Sequence, residues 1–138
     1  MKIVVIDGQG GSLGKALIER LKKELPEHTL LAIGTNSIAT SAMLRAGADQ
    51  VATGENPVLV ACRSADIITG PLGILAADSL LGEITPAMAL AVGQSSAVKV
   101  LLPVSRCHVV IAGAQNLSLN DCLLRAVEEI KTLVTAAS

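Results

Sequence analysis

The sequence predicts an α/β protein built on an open, doubly wound and mostly parallel sheet with helices on both faces. Short aliphatic runs alternate with amphipathic helical patterns along nearly the whole chain, which is the pattern of a parallel sheet with helical crossovers. The first run leads through a glycine-rich turn directly into a helical pattern. The length of 138 residues suits one domain, and we expect residues 1–138 to form it.

The first half of the chain predicts two strands, each followed by a helix. Residues 3–6 are uniformly aliphatic, as expected for a strand covered on both faces, and the amphipathic pattern over 13–25 predicts a helix that Pro26 stops. Residues 29–33 predict the second strand. Asn36 or Ser37 can cap the helix that follows, and Gly47 can end it.

The middle of the chain repeats this alternation. We predict a short strand at 50–53, a helix over about 56–63, and a strong strand at 66–69 that Gly70 and Pro71 interrupt. A helical pattern over 72–81 stops at Gly82 and restarts with Thr85 as N-cap and Pro86 at the first helical position, which predicts a broken or kinked helix ending near residue 95.

The C-terminal part predicts two more strands, at 98–104 and 109–112, and a closing helix that Ser118 and Asp121 begin. The short link through Ser105 and Arg106 suggests that these strands form an antiparallel hairpin. The units together predict a Rossmann-like fold with right-handed crossovers.

Composition argues against several classes of partner. The net charge is −1 and the chain contains no aromatic residue, so it lacks the basic surface and the stacking rings of nucleic-acid binders. The apolar runs are shorter than the roughly 18 residues that span a bilayer. We therefore expect a cytoplasmic protein with no nucleic-acid or membrane partner.

No metal site is predicted from the cysteine and histidine residues. Cys62, Cys107 and Cys122 form no CxxC pair. Cys107 and His108 are adjacent, and neighbouring residues on a strand point to opposite faces, so they converge poorly on an ion.

The sequence KIVVIDGQGGSLG over residues 2–14 is the most informative feature of the chain. A strand, a glycine-rich turn and a helix start present bare backbone N–H groups to a phosphate. The spacing is GxxGxxG through Gly8, Gly11 and Gly14, with Gly10 as an additional glycine. A P-loop fits less well, because Gln9 stands where its first glycine belongs and Ala16 where its Mg²⁺-binding hydroxyl belongs.

This turn resembles the dinucleotide-binding turn of Rossmann enzymes such as malate dehydrogenases and atypical short-chain dehydrogenases. The resemblance implies that Gly8 makes the tight turn, that Gly11 lets the backbone approach a pyrophosphate, and that Gly14 lets the helix pack closely on the sheet. A tight turn that binds no ligand is the alternative interpretation.

The cofactor is left open by the residues around this turn: NAD(P) or another nucleotide is possible. A dinucleotide site usually has an acid at the end of the second strand, but Thr35 and Asn36 stand there and no arginine replaces it. These two side chains can bind a ribose or phosphate, or cap a helix. Asp7 would repel a pyrophosphate unless it binds a cation, a base or a backbone N–H, and we favour a local backbone cap.

The candidate ligand-binding residues are those at the carboxyl ends of the predicted strands, where doubly wound sheets bind their ligands. They are Asp7, Gly8, Gln9, Gly10, Gly11, Ser12, Leu13, Gly14, Thr35, Asn36, Thr53, Gly54, Glu55, Asn56, Thr69, Gly70 and Pro71. Glu83, Thr85 and Arg106 are further polar residues that could reach this edge. We interpret Glu83 as a first-turn partner of the helix that begins at Pro86.

The strings VIDGQGG, GTN, TGENP, ADIITGP and GEITPAM, in that order, resemble a small bacterial family of unknown function with a Rossmann-like fold. The resemblance covers nearly the whole chain. It implies a fold, a cytoplasmic location and a stand-alone protein, but no chemistry.

Three functional hypotheses follow from these observations. The first is a small protein that binds a nucleotide or another phosphorylated small molecule, as a sensor or regulator. The second is a minimal NAD(P)-dependent oxidoreductase, and the third is a structural or interaction module without a ligand. The apolar stretch 87–92 and the high aliphatic content also suggest a homodimer.

Overall fold

The computed structural model describes residues 1–104, 108–114 and 116–137, and its five strands form one parallel sheet. The strands are β1 (Ile3–Asp7), β2 (Leu30–Gly34), β3 (Gln50–Thr53), β4 (Ile67–Pro71) and β5 (Val98–Leu102), in the spatial order β3-β2-β1-β4-β5. The chain adds strands on one side of β1 and then returns to add β4 and β5 on the other. The predicted doubly wound α/β fold is confirmed, and the order reverses between β1 and β4.

The helices cover both faces of this sheet and create two apolar cores. They are α1 (Ser12–Glu24), α2 (Ser37–Arg45), α3 (Glu55–Cys62), α4 (Pro86–Gln94) and α5 (Leu119–Ala136). One core joins α1, α2 and α5 to alternate residues of β1 such as Val5, and the other joins α3 and α4 to the intervening residues such as Ile6. Each buried strand is aliphatic on both faces for this reason.

Three predicted N-caps are confirmed. The side chain of Asn36 accepts a hydrogen bond from the backbone N–H of Ala39 at 2.9 Å, and Thr85 Oγ1 accepts one from Met88 at 3.2 Å. Ser118 Oγ accepts one from the N–H of Asp121 at 3.1 Å. These side chains satisfy first-turn donors that have no intrahelical partner.

The region after β4 differs from its prediction. Gly70 and Pro71 do not interrupt the strand but continue it, in register with Leu101 and Leu102 of β5. The backbone of Gly70 lies so close to the carbonyl oxygen of Ile6 that no side chain has room there. The predicted helix over 72–81 is wrong: only Leu72–Leu75 is helical, as a single 3-10 turn.

Residues 76–85 form a compact loop, which we call the strap. Asp78, Leu80 and Leu81 have left-handed backbones with φ of 67°, 55° and 55°, a conformation that a continuing helix does not allow. The N–H of Asp78 donates to the carbonyl of Ile84 at 2.7 Å and closes the loop. The strap buries Leu80 and Ile84 against the sheet and leaves Leu81 in solvent.

The predicted antiparallel hairpin is also wrong. Strand β5 ends at Leu102, and residues 109–112 form no strand, so every strand in the described ranges is parallel. The N–H of Val104 donates to the carbonyl of Leu102 at 2.8 Å, which turns the chain away from the sheet around Pro103, a residue without an N–H of its own. The predicted link, Ser105 and Arg106, lies outside the described residues.

Candidate functional site

The glycine turn, residues 8–11, joins the end of β1 to the start of α1 at the carboxyl edge of the sheet. The N–H of Gly11 donates to the carbonyl of Gly8 at 2.9 Å, and the carbonyl of Gly11 accepts the N–H of Lys15 at 2.8 Å, which begins the helix. Gly11 has a left-handed φ of 75°, which glycine adopts without steric cost. The turn therefore aims the N-terminus of α1 at the switch point between β1 and β4.

Asp7 is buried beneath this turn, with 5% of its surface exposed, and caps it locally. Its Oδ1 accepts the backbone N–H of Gly8 at 2.8 Å, and its Oδ2 accepts that of Gly14 at 2.7 Å. Burial raises the pKa of this carboxyl above its ordinary value, and the hydrogen bonds from Gly14 and Gly8 oppose that rise. Both carboxyl oxygens thus accept backbone N–H groups, one from the turn and one from the first turn of α1.

Three glycines of the turn region are required by contacts within the protein. A Cβ on Gly8 would lie 2.5 Å from Thr35 Oγ1, and one on Gly14 would lie 2.5 Å from Met43 Sδ. A Cβ on Gly11 would lie 2.8 Å from the Cα of Ala39 on α2. Helix α2 therefore occupies the space beside Gly11 in which the resemblance to dinucleotide-binding turns predicts a pyrophosphate.

Gly10 differs from these three glycines. A Cβ at this position would meet nothing closer than Ser12 Oγ at 3.9 Å, and its φ lies outside the left-handed region. Neither packing nor backbone conformation requires a glycine here. The space beside Gly10 remains open to solvent.

A cavity of about 200 Å³ adjoins the turn. It is lined by Asp7 and the residues of the turn, by Ser12 and Leu13 of α1, and by the aliphatic side chains of Leu80, Val104 and Leu119. The backbone N–H groups of Gly10, Ser12 and Leu13 have no hydrogen-bond partner among the described residues. The cavity thus combines free N–H donors and a helix N-terminus on one side with an aliphatic wall on the other.

Glu83, which lies in the strap, accepts three hydrogen bonds at this edge of the sheet. Its Oε1 accepts the backbone N–H of Gln9 at 2.9 Å, the hydroxyl of Thr35 at 2.5 Å and the side-chain amide of Asn36 at 2.7 Å. Burial pushes the pKa of Glu83 upward, but the hydrogen bonds from Thr35, Gln9 and Asn36 outweigh it and hold the pKa below its ordinary value. Glu83 remains ionised near neutral pH.

The interpretation of Glu83 as a local partner of α4 is therefore wrong. Its carboxylate reaches across the sheet edge to the ends of β1 and β2, whereas Thr85 and Met88 cap the α4 N-terminus. The sequence contains little indication of this long-range contact, because a lone acid in a turn before a helix is usually solvated. Arg106 lies outside the described residues.

The remaining candidate residues lie elsewhere along the edge. Thr53, Gly54, Glu55 and Asn56 are at the end of β3; the Thr53 hydroxyl is 2.7 Å from that of Thr40, the Gly54 N–H donates to Gly34 at 2.9 Å, and Glu55 and Asn56 are exposed. None of these four lines the cavity beside the turn.

The β4 candidates Thr69, Gly70 and Pro71 are buried within the sheet. The hydroxyl of Thr69 is fully buried and has no hydrogen-bond partner among the described residues. Hydrogen bonds therefore join Thr35, Asn36 and Glu83 to the turn, although none of the three lines the cavity, and the β3 and β4 candidates lie outside this cluster.

The described residues contain no group of three or more histidine, cysteine, aspartate or glutamate side chains that could hold a metal ion. Within the same part of the chain, no helix combines the length and apolarity needed to cross a membrane.

The fold and the turn define the class of this protein as a Rossmann-like α/β protein with a glycine-rich strand-to-helix turn. The model of the family described as domain of unknown function DUF3842 matches residues 2–135, and the chain belongs to that family. No curated protein matches the sequence.

One solved structure similar to this chain is a dodecameric FMN-dependent UbiX-like decarboxylase from Escherichia coli O157:H7. The two share 15% sequence identity over 98% of this chain and 94% of that chain, with a TM-score of 0.48. The family description names no activity, so a function has to rest on the geometry of the site.

Proposed function

We propose that this protein binds a nucleotide or another small phosphorylated molecule, with a phosphoryl group on the backbone N–H groups of Gly10, Ser12 and Leu13. The open position at Gly10 carries the proposal. It lies beside free N–H donors at the N-terminus of α1, where backbone donors and the helix dipole favour an anion. A glycine that neither packing nor φ requires is explained by a ligand that lies against it.

The size and walls of the cavity limit the ligand. Its volume of about 200 Å³ is below the roughly 300–1,000 Å³ of drug-sized sites. It suits a phosphoryl group with part of its substituent. The aliphatic side chains of Leu80, Val104 and Leu119 can contact an apolar surface or a base, in a chain that has no aromatic ring to stack on it.

Asp7 supports binding rather than opposing it. Its carboxylate accepts from Gly8 and Gly14, so it holds the turn in place while the N–H groups of Gly10, Ser12 and Leu13 remain available. The cluster at this edge contains no nucleophile paired with a base among the described residues. Binding alone, as in a sensor or regulator, is the role that these groups support.

The test compares two glycine substitutions of equal size. Gly10→Leu fills the space beside the turn, whereas Gly93→Leu adds the same side chain to the exposed surface of α4, where the nearest atom is 3.9 Å away. Thermal unfolding is followed by circular dichroism, because the chain has no Trp or Tyr. A panel of adenine, guanine, flavin and nicotinamide nucleotides and coenzyme A is added to each protein.

We expect a ligand at 100 times its dissociation constant to stabilise the wild type and Gly93→Leu by about 2.7 kcal/mol, and Gly10→Leu by much less. Equal stabilisation of all three proteins, or no response to any compound, would overturn the proposal. Stabilisation by nicotinamide nucleotides specifically would favour a minimal NAD(P)-dependent oxidoreductase.

One observation favours a second candidate, a structural or interaction module without a ligand. Gly8, Gly11 and Gly14 are all required by contacts inside the protein, so the GxxGxxG spacing needs no ligand to explain it. A wild type that responds to none of the compounds, while Gly10→Leu folds with undiminished stability, would support this candidate.

A further inference from the structure

We propose that two copies of this chain associate through the face formed by α3 and α4, with their α3 helices packed antiparallel about a two-fold axis at Leu59. In this dimer, Glu55 of each copy lies opposite Arg63 of the other copy and forms an ion pair with it. The dimer is independent of any ligand at the glycine turn, so it stands or falls separately from the proposed function.

Helix α4 has no charged face to present to solvent. Its nine residues include no charged side chain, whereas α1 and α5, on the opposite face of the sheet, each carry several. Met88 and Val92 of α4 are buried in the core, but Leu90 is exposed on the outer side of the helix. Helices that are apolar on all sides are usually buried on all sides. The outer side of α4 is therefore a candidate for burial against another protein surface.

The apolar surface continues from α4 onto the elements beside it. A groove of about 420 Å³ runs between α3 and α4, and Leu59 and Leu90 are among the residues that line it. Val60 of α3 is also exposed. So is Leu75, whose Cδ2 would lie 3.9 Å from a Cβ on Gly93 of α4. Exposed aliphatic side chains that continue across adjacent elements are typical of protein–protein interfaces.

The two charged residues of α3 indicate that the partner is a second copy of this chain. Glu55 begins the helix and Arg63 caps its end; both are exposed, and Arg63 also lines the groove. Neither forms an ion pair within the described part of the chain. With Leu59 they have the spacing i, i+4, i+8, which places all three along one side of the helix.

Antiparallel packing of α3 against its own copy pairs these charges by symmetry. Leu59 is four residues from Glu55 and four from Arg63, so a two-fold axis at Leu59 brings each acid level with the arginine of the other copy. The same rotation brings the two apolar faces together. A parallel arrangement would instead place Glu55 beside Glu55 and Arg63 beside Arg63, where like charges repel.

The experiment reverses each charge separately and measures dimerisation by sedimentation equilibrium at micromolar concentrations. Glu55→Arg places two arginines at each contact, and Arg63→Glu places two glutamates there. We expect the wild type to be a dimer and each variant to dimerise about tenfold or more weakly, because two attractive contacts become repulsive. Glu55→Gln and Arg63→Gln, which only remove the attraction, should weaken the dimer less.

An equimolar mixture of Glu55→Arg and Arg63→Glu restores opposite charges at both contacts of a mixed dimer. We expect this mixture to dimerise with an affinity close to that of the wild type. The matched controls are Glu19→Arg and Lys23→Glu, which make the same charge changes on the exposed surface of α1 and should leave dimerisation unchanged, alone or mixed. Circular dichroism verifies that every variant folds.

Three results would overturn the proposal. A monomeric wild type would exclude the dimer, and charge-reversal variants that dimerise as tightly as the wild type would place the interface elsewhere. A mixture that dimerises no more tightly than its components would show that Glu55 and Arg63 do not face each other. Should a reversal variant fail to fold, the glutamine variants and the weakening of the wild-type dimer by high salt, which screens exposed ion pairs, decide instead. Unchanged affinity in both would also overturn the proposal.

Discussion

The structure predicts opposite effects for one substitution made two positions apart in the glycine turn: Gly8→Ala should destabilise the protein and Gly10→Ala should not. Neither residue has a left-handed backbone, so both can accept alanine without backbone strain. The new methyl group at Gly8 would lie 2.5 Å from Thr35 Oγ1 and 2.9 Å from Glu83 Oε1. At Gly10 it would meet only Ser12 Oγ, at 3.9 Å.

The magnitude follows from the hydrogen bonds that have to move. Displacing Thr35 and Glu83 breaks the bond between them and lengthens the bond from Gln9, and each bond to a charged group contributes about 1.5–3 kcal/mol. Water replaces part of this at a half-exposed edge, and alanine itself gains about 0.4–1 kcal/mol from the unfolded state. The net cost is about 2–3 kcal/mol for Gly8→Ala, against a gain of up to about 1 kcal/mol for Gly10→Ala.

Thermal unfolding measured by circular dichroism separates these outcomes. A chain of 138 residues loses about 3–4 °C of melting temperature per kcal/mol, so Gly8→Ala should melt about 6–12 °C below the wild type. Gly10→Ala should melt at or slightly above it. Equal melting temperatures for the two variants would refute the strap contact at Glu83 as the reason for Gly8.

Four further predictions concern stability and assembly. Glu83 has a lowered pKa, so its stabilising contribution is complete above its ordinary value of 4.5 and is lost as the pH falls through the lowered pKa; Glu83→Gln should flatten this acid limb in urea titrations at pH 3–7. Asp7 has a raised pKa, so its contribution has the opposite sign and decreases as the pH rises from 3.8 through the raised pKa. Asp7→Asn should remove that slope. It should also cost about 1–3 kcal/mol, because the NH2 group of the asparagine would face the backbone N–H of Gly8 or Gly14 and leave that donor without an acceptor. Thr69→Val should stabilise the protein by about 1 kcal/mol by removing a buried hydroxyl without a described partner, whereas Thr40→Val, whose hydroxyl contacts Thr53, should destabilise it; chemical denaturation that ranks them the other way contradicts this. We also expect a homodimer through the apolar groove of about 420 Å³ between α3 and α4, which Leu90, 58% exposed, lines; sedimentation should show a dimer for the wild type and a monomer for Leu90→Arg, and a monomeric wild type at micromolar concentration would refute it.

The elements with strong local signals could be predicted from the sequence. The aliphatic runs of β1, β2 and β4 and the amphipathic pattern of α1 depend on burial, which periodicity reports directly. The caps Asn36, Thr85 and Ser118 act within three residues of themselves, so they too are local.

The elements that were predicted wrongly depend on contacts between residues far apart in the sequence. The segment over 72–81 has a helical composition, but burial of Leu80 against Gly8 and of Ile84 in the core favours the strap instead. The apolar residues 109–112 have strand propensity, but β5 is followed by Pro103 and a tight turn at Val104. Local propensity is weak compared with such tertiary contacts.

The acid that a dinucleotide site usually has at the end of the second strand is absent from the sequence there, and this absence shows why motif spacing alone is a poor guide to a binding site. A search limited to the end of β2 finds Thr35 and Asn36 and concludes that no carboxylate is present. The structure places one there from 48 residues further along the chain, and both side chains become its hydrogen-bond donors. A hydroxyl and an amide at this position suit a carboxylate that comes from another part of the chain, since they stabilise its charge by donating hydrogen bonds without a counter-charge. Their identity is therefore better explained as the binding site for Glu83 than as a degenerate ribose site, and the same two residues in a related sequence predict an acid on the loop after β4.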